Sequence, residues 1–583
     1  MFEKKYPNSE QNALYGMNLD MFFLSLEDPK WNFSLKELKA QIQEVKDQYD
    51  LYKISRDLKD YAAMLHAYSD QTILMNIMTV YTRNLRALDE SNMKAKEAFI
   101  SVSILDGDLD SAIESFKDLI EFTDAEFDAF LLILDPYKIH AKQFLKNIRS
   151  LVVNIDPTSG EFYSGQIEKY AKLHKMLPYD LRWASEHSNH SDRSVRRASF
   201  YNYAFVKEQL DDFSELLNGS IQQQITLAKK YGFKSAFEMS AHGSGLTGEE
   251  VWNIMDTIQL QNTIYREYYS FKSAKLGLND FALYDINAPL DTNNPISIQE
   301  AIEYTISLGK FISDDIGTSV KQFFEEGRVQ FEDLPHRQNV IHAENCYNGP
   351  WAIIGWKNVF KTSYLSYVFH EIGHCVDNLY GQRAAGKLMN MNSLVPSRAL
   401  NESHSTFFEA IGFYFILEAD IPLDIKKTYL SSELESLLFF IFRERQPLTL
   451  ECNIEQSLLK GDMPSGKQIS DWHMTESQEI AGTEILVPEE AAYRWTSRRH
   501  SFETPYYNYQ YTLASLNALL FINLWKEDKE KFMSNYTNLL NAGWDGTYKE
   551  LMQKHMNIDV AETKNVAKAL AQLQEMKNIV CNL

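Results

Sequence analysis

Residues 364–380 read YLSYVFHEIGHCVDNLY, and their spacing decides how the rest of the chain is read. His370 and His374 stand four positions apart. On a helix both imidazoles then project from one face about one turn apart, so both can reach a single tetrahedral Zn²⁺. Glu371 lies between them, beside the open coordination position, where it can take a proton from water and later pass one to a leaving amine. Leu365, Phe369, Ile372, Val376 and Leu379 form an apolar face that anchors such a helix in a core. Thr362 or Ser363 is expected to cap its start and Gly381 to end it. Gly373 inside a helix costs ~1 kcal/mol relative to Ala. A structural helix gains nothing visible from that glycine, whereas a metal helix needing close approach of backbone or substrate does.

A catalytic zinc wants a third protein ligand. No histidine follows His374 at a short distance, because the next residues are CVDNLYGQRA. The next candidates sit on NESHSTFFEAIGFYF, residues 401–415, with Pro396 and Ser397 marking the expected helix start. Glu402 and Glu409 share one face of that helix, since seven residues are close to two turns. One carboxylate can ligate the metal and the other can orient a ligand histidine. His404 points about 160° away from Glu402 on a regular helix, which favours Glu402 as the ligand. The run FFEAIGFYFIL is too apolar for a solvated helix, so these carboxylates are not simply surface charge.

A third feature is RRHSFETPYYNYQY at 498–511. Amide hydrolysis builds negative charge on the carbonyl oxygen, and a tyrosine hydroxyl or an imidazole can take part of it. His500, Tyr506, Tyr507, Tyr509 and Tyr511 are the candidates. Any one of these tyrosines can be packing, but four within six residues make it expected that at least one lines a site.

The wider composition is consistent with a folded protein that handles neither nucleic acid nor membrane. The chain has 583 residues, 44% apolar and 24% charged, which is ordinary globular usage. Its 80 acidic against 58 basic side chains give a formal charge of −22, which disfavours phosphate backbones and anionic membranes as partners. The four cysteines are too few and scattered for a disulfide framework. The polar start, MFEKKYPNSEQNALYG, carries no signal-peptide pattern, and the apolar windows are all well short of the ~18 residues a membrane span needs. The expectation is a reducing, cytoplasmic setting. Cys375 directly follows a candidate ligand, which raises the question of sensitivity to thiol reagents.

Most of the chain reads as helix. Ser34 and Glu37 give a capping-box signal before a stripe of Leu35, Leu38, Ile42, Val45, Tyr49 and Tyr52. Thr247 and Glu250 repeat it before EEVWNIMDTIQLQ, and the tail from about Tyr548 to Val580 reads as amphipathic helix. Strand signals are sparse and clearest around Arg328–Phe331 and in WAIIGW at 351–356, while 285–298 and 459–471 read as loops. The coarse division is an amino-terminal helical region, 1–185, and a helical catalytic region, 186–583, with a soft boundary.

Together these residues resemble the oligoendopeptidase F and thimet oligopeptidase family of zinc peptidases, most of all its bacterial oligoendopeptidase F branch. HEIGH at 370–374 is similar to the family's zinc helix, ESHSTFFE at 402–409 to its glutamate helix, and PYYNYQY at 505–511 to its tyrosine-rich substrate segment. ENCYNGPWAIIGW at 344–356 looks like the sheet edge that precedes the zinc helix. SDRSVRRASFYNY at 191–203 and AKKYGFKSAFEMS at 228–240 are similar to the helical region before it. The resemblance covers roughly residues 190–520. It implies a mainly α, large helical zinc-peptidase fold with a small β-sheet beside the active-site helix and a deep substrate channel. It implies one Zn²⁺ per chain held by His370, His374 and Glu402, with Glu371 as general base and short, unfolded oligopeptides as substrates. Transition-state and substrate contacts would then fall on His500, Tyr506 and Tyr509, with Tyr347, Tyr507 and Tyr511 along the peptide. CYNGP runs into WAIIGW over fewer residues than is usual in the family, and the spacing from His500 to Tyr506 needs a gap against the thimet branch. A zinc aminopeptidase and an inactive helical peptide-binding protein are the rival readings. Oligomeric state is not legible.

Overall fold

Helix dominates the described residues, and side-chain caps explain where several helices begin. The computed structural model describes residues 17–112, 118, 122–134, 157–177, 187–290, 294–331, 334, 336–338, 340–356, 359–385, 398–543 and 545–583. The expected capping box at Thr247 is formed: Thr247 N donates to Glu250 Oε2 at 2.9 Å and Glu250 N to Thr247 Oγ1 at 3.1 Å. The one expected at Ser34 is not. The first long helix runs Pro29–Ser55, so Ser34 lies inside it. Asp28 outcompetes Ser34 as the start because its carboxylate accepts from both Leu24 N and Lys30 N, and Pro29 supplies a preset φ at the first helical position. The stripe itself holds, with Leu38, Ile42, Val45 and Tyr52 buried.

The chain forms two units. One comprises Met1–Val152, Pro295–Pro396 and Glu530–Thr547. Its sheet has three short strands, β1 (Val329–Gln330), β2 (Ile341–Glu344) and β3 (Trp351–Ile354), in the order β1-β3-β2. β1 runs parallel to β3, pairing Val329 with Ala352. β2 runs antiparallel to it, pairing Ile341 with Ile354 and Glu344 with Trp351. The sequence pattern points to β1 and β3. It does not single out β2, whose IHAE has no alternation and becomes a strand through its distant partner. All four residues of β3 are buried. Trp351 and Ile353 share a core with Phe22, Trp31 and Tyr81 of the amino-terminal segment. The helix Tyr364–Ala385, hereafter the histidine helix, packs against β2 and β3. It passes through Gly381 rather than ending there, and Arg383 stacks over the Tyr380 ring at 5.3 Å.

The second unit comprises Val153–Asn294, Ser397–Lys529 and Tyr548–Leu583. Its centre is a pair of helices, Arg398–Glu418 (the carboxylate helix) and Tyr509–Glu527 (the tyrosine helix). Asn517 Nδ2 donates to Ser403 Oγ at 2.9 Å across this pair, and Phe407 meets Phe521 edge-on at 5.7 Å. Pro396 and Ser397 lie outside the described residues. The helix Arg445–Leu459 is followed by a short loop, and Ser465 caps a further helix from Gly466 to Ala481. The latter part of 459–471 is therefore helical, because the Ser465 hydroxyl accepts from Gln468 N at 3.3 Å and starts a new helix. The whole is mainly α with a small sheet. Among the described residues no helix is long and apolar enough to cross a membrane.

Candidate metal centre

Four apolar residues of the histidine helix, Leu365, Phe369, Ile372 and Val376, are fully buried, as the sequence pattern requires of an anchored face. The anchored helix turns His370 and His374 to its other side, where their rings lie 4.8 Å apart at 85°. The ligand-capable atoms of His370, His374 and Glu402 all lie within 4.8 Å of one another. It is the single cluster among the described residues in which three such side chains can hold a metal ion. Two imidazoles and one carboxylate suit Zn²⁺ and leave a fourth position open for water or substrate.

Glu371 supports the same conclusion from another direction. It is 6% exposed, and its Oε2 has no hydrogen-bond partner among the described residues. A buried carboxylate oxygen left unpaired costs stability, so its retention calls for a reason in the chemistry next to it. Cys375 is buried and its thiol is pushed up by burial and by the Glu371 charge, so it remains protonated and is a poor target for thiol reagents.

The tyrosine segment divides into two sets. Tyr506 and Tyr509 are buried and their hydroxyls are engaged. Tyr506 Oη donates to Glu455 Oε2 at 2.9 Å, and Tyr509 Oη pairs with Ser240 Oγ at 3.3 Å. Tyr507 and Tyr511 form the other set, with hydroxyls 3.2 Å apart. The Tyr511 phenol is pushed well above its ordinary value by burial first and then by the Glu402 charge, which puts it in the neighbourhood of that carboxylate. His500 keeps an exposed edge but packs on Tyr507, ring centres 4.9 Å apart, and partial burial lowers its pKa. Arg398 lies over the Tyr507 ring at 4.5 Å. The sequence pattern did not point to Arg398, which sits at the first position of the carboxylate helix, or to Glu455. A cation in the first turn of a ligand-bearing helix is the available signal for the former, and nothing local marks the latter.

Glu409 and His404 are both buried on the carboxylate helix, and His404 is not part of the three-residue cluster. Tyr347 is tied down through its backbone, its N donating to Asn76 Oδ1 at 2.9 Å.

Residues 339–572, which contain all of these groups except Asn76, Ser240 and part of the sheet, match the profile of Peptidase family M3. Over 543 residues the chain is 21% identical to an oligoendopeptidase F homolog of Borreliella burgdorferi, covering 89% of this chain and 87% of that one. A peptidase structure from Chlamydophila abortus superposes with a TM-score of 0.81 at 18% identity, covering 97% of this chain and 98% of the other. Oligoendopeptidase-F from Enterococcus faecium does so at 0.67 and 17%, covering 94% and 98%. At such identities the superpositions establish the shared fold, and the matched profile speaks to the site. The helix-borne histidines and the carboxylate that meets them lie within the segment that matches Peptidase family M3, and the chain is similar along most of its length to an oligoendopeptidase F homolog.

Proposed function

We propose that the chain is a zinc-dependent endopeptidase that hydrolyses short, unfolded oligopeptides, with one Zn²⁺ held by His370, His374 and Glu402. The observation that carries this reading is the convergence of those three donors within 4.8 Å. Zinc, when bound there, supplies Lewis acidity toward the scissile carbonyl and toward water.

The remaining steps belong to the chain's own residues. Glu371 takes the proton of the attacking water on its unpartnered Oε2 and returns it to the leaving amine. Glu409 orients a ligand histidine. Tyr507 and Tyr511 offer neutral hydroxyl donors for the developing oxyanion and the peptide backbone. Tyr511 stays protonated because its pKa is raised, and His500 stays neutral because its pKa is lowered. Tyr506 and Tyr509, whose hydroxyls bond to Glu455 and Ser240 on other helices, hold the segment in place, whereas the hydroxyls of Tyr507 and Tyr511 pair with each other and can turn to a peptide. Tyr347, on a segment fixed by Asn76, contacts the peptide.

The test is a quenched peptide blocked at both ends. An endopeptidase cuts it internally, and a chelator stops the cut until zinc is returned. Cleavage only of peptides with a free terminus would replace this reading with an exopeptidase.

A further inference from the structure

Among the described residues only three other than glycine have a left-handed backbone: Arg56, Tyr506 and Asn557. Arg56 and Asn557 are the residues that end helices, where such a conformation is ordinary. Tyr506 ends no helix. It lies between the short helix Arg499–Glu503 and the tyrosine helix, at φ +64. A bulky side chain held there costs of order 1–3 kcal/mol and persists only where its surroundings over-determine it.

The surroundings do so at three atoms. Tyr506 N donates to Glu451 Oε2 at 2.7 Å, Tyr506 Oη donates to Glu455 Oε2 at 2.9 Å, and Tyr506 O accepts from Ser240 Oγ at 3.2 Å. The two glutamates stand one turn apart on the helix Arg445–Leu459 and are 1% and 3% exposed. Glu455 also accepts from Ala236 N at 2.5 Å, so it fixes the start of the helix Ala236–Gly243 that carries Ser240. No cation pairs with either carboxylate among the described ion pairs, and burial pushes Glu451 up to about 8. Burying two carboxyl groups costs stability even with the Arg498 charge acting on Glu451, and hydrophobic residues would pack the same space at lower cost. Their benefit must lie in the geometry they impose.

That geometry leads to the helix that carries Glu402, through Arg398 at its first position. Tyr507 follows Tyr506, its ring packs on His500 and Arg398, and its hydroxyl meets that of Tyr511, which feels Glu402. We infer that Glu451 and Glu455 are positioning residues: they clamp Tyr506 in its left-handed turn and thereby aim the Tyr507 and Tyr511 hydroxyls at the substrate. The inference rests on the proposed role of those two hydroxyls. It adds that their placement is set by a buried acidic pair more than fifty residues upstream.

The test compares Glu451→Ala with Glu451→Gln and Tyr506→Phe. Gln keeps an oxygen that can accept from Tyr506 N, and Ala does not. A displacement of about 1 Å in a catalytic group costs up to about 100-fold in rate. Glu451→Ala is therefore expected to lose roughly 10- to 100-fold in kcat on a quenched peptide, with a smaller change in KM and with bound zinc and helical content unchanged. Glu451→Gln should stay within about threefold of the parent, and Tyr506→Phe should fall between them. Equal kcat in Glu451→Ala and the parent, with both folded and zinc-loaded, would overturn the clamp. So would an equal loss in Glu451→Ala and Glu451→Gln. If Glu451→Ala does not fold, Tyr506→Phe decides: parental kcat refutes the inference. Glu371→Gln run alongside separates the two levels. A parent that cleaves while Glu371→Gln does not leaves the peptidase reading intact whatever the clamp variants do.

Discussion

Glu371, next to His370, and Glu409, two turns beyond Glu402, are both buried carboxylates, and the proposed function gives them separable tasks. Glu409→Ala should weaken zinc binding about 10- to 100-fold, as loss of a group that orients a ligand histidine does. Glu402→Ala should weaken it further, because a ligand itself is gone. Competition with a metal indicator measures both, and equal affinity in the parent and Glu409→Ala would remove that residue from the scheme. Away from the centre, His473 is buried and its pKa lies well below 6.5, through burial first and then the charges of Arg494, Arg498 and Arg443. The folded chain keeps this imidazole neutral. Below pH 6.5 the unfolded chain binds a proton that the folded chain refuses, so stability falls as the pH drops from that value toward the folded pKa. His473→Gln should therefore lose less stability than the parent between pH 7.5 and about 5.5 in denaturant titrations. Identical losses would show that His473 does not titrate in this way. At this scale the sequence is legible where the chemistry is local. His370, Glu371 and His374 are related by helix geometry alone, and their roles need no knowledge of the fold. The four tyrosines are different. Tyr506 and Tyr509 bond to Glu455 and Ser240, which are distant in sequence, while Tyr507 and Tyr511 pair with each other, so the pattern locates the segment but cannot sort one pair from the other.

Elements show the same contrast between local and distant causes. The Thr247 capping box forms as its spacing requires, while the Ser34 signal is overridden by Asp28 and Pro29 a few residues earlier. A paired measurement follows. Thr247→Ala should destabilise the second unit by about 1 kcal/mol, whereas Ser34→Ala should change stability by less than about 0.5 kcal/mol. A larger loss at Ser34 would mean that the first helix starts there in solution. Strand β2 is invisible locally because its four residues become a strand only by pairing with β3. The histidine helix, by contrast, announces its apolar face through Leu365, Phe369, Ile372, Val376 and Leu379, of which the structure buries the first four and leaves Leu379 half-buried. Gly381 misleads because glycine ends a helix only where the backbone turns left-handed, and here the helix continues to Ala385.

For the whole molecule, a mainly α fold with a small sheet, a match to Peptidase family M3 over 339–572 and, among the described residues, a single three-donor cluster are what the proposed zinc-peptidase function rests on. Zinc bound by the native state and not by the unfolded chain stabilises by mass action. Chelation should accordingly lower the Tm and restoring zinc should raise it. A Tm indifferent to zinc would argue against a tight site. The formal charge of −22 bears on solubility and on which peptides approach, not on the fold. The central claim is that Glu371 moves the proton while His370, His374 and Glu402 hold the metal. It is tested most directly by measuring zinc content and cleavage together in Glu371→Gln. The account predicts one zinc per chain retained and cleavage reduced by roughly 100- to 10,000-fold. Cleavage at the parental rate with zinc retained would contradict it.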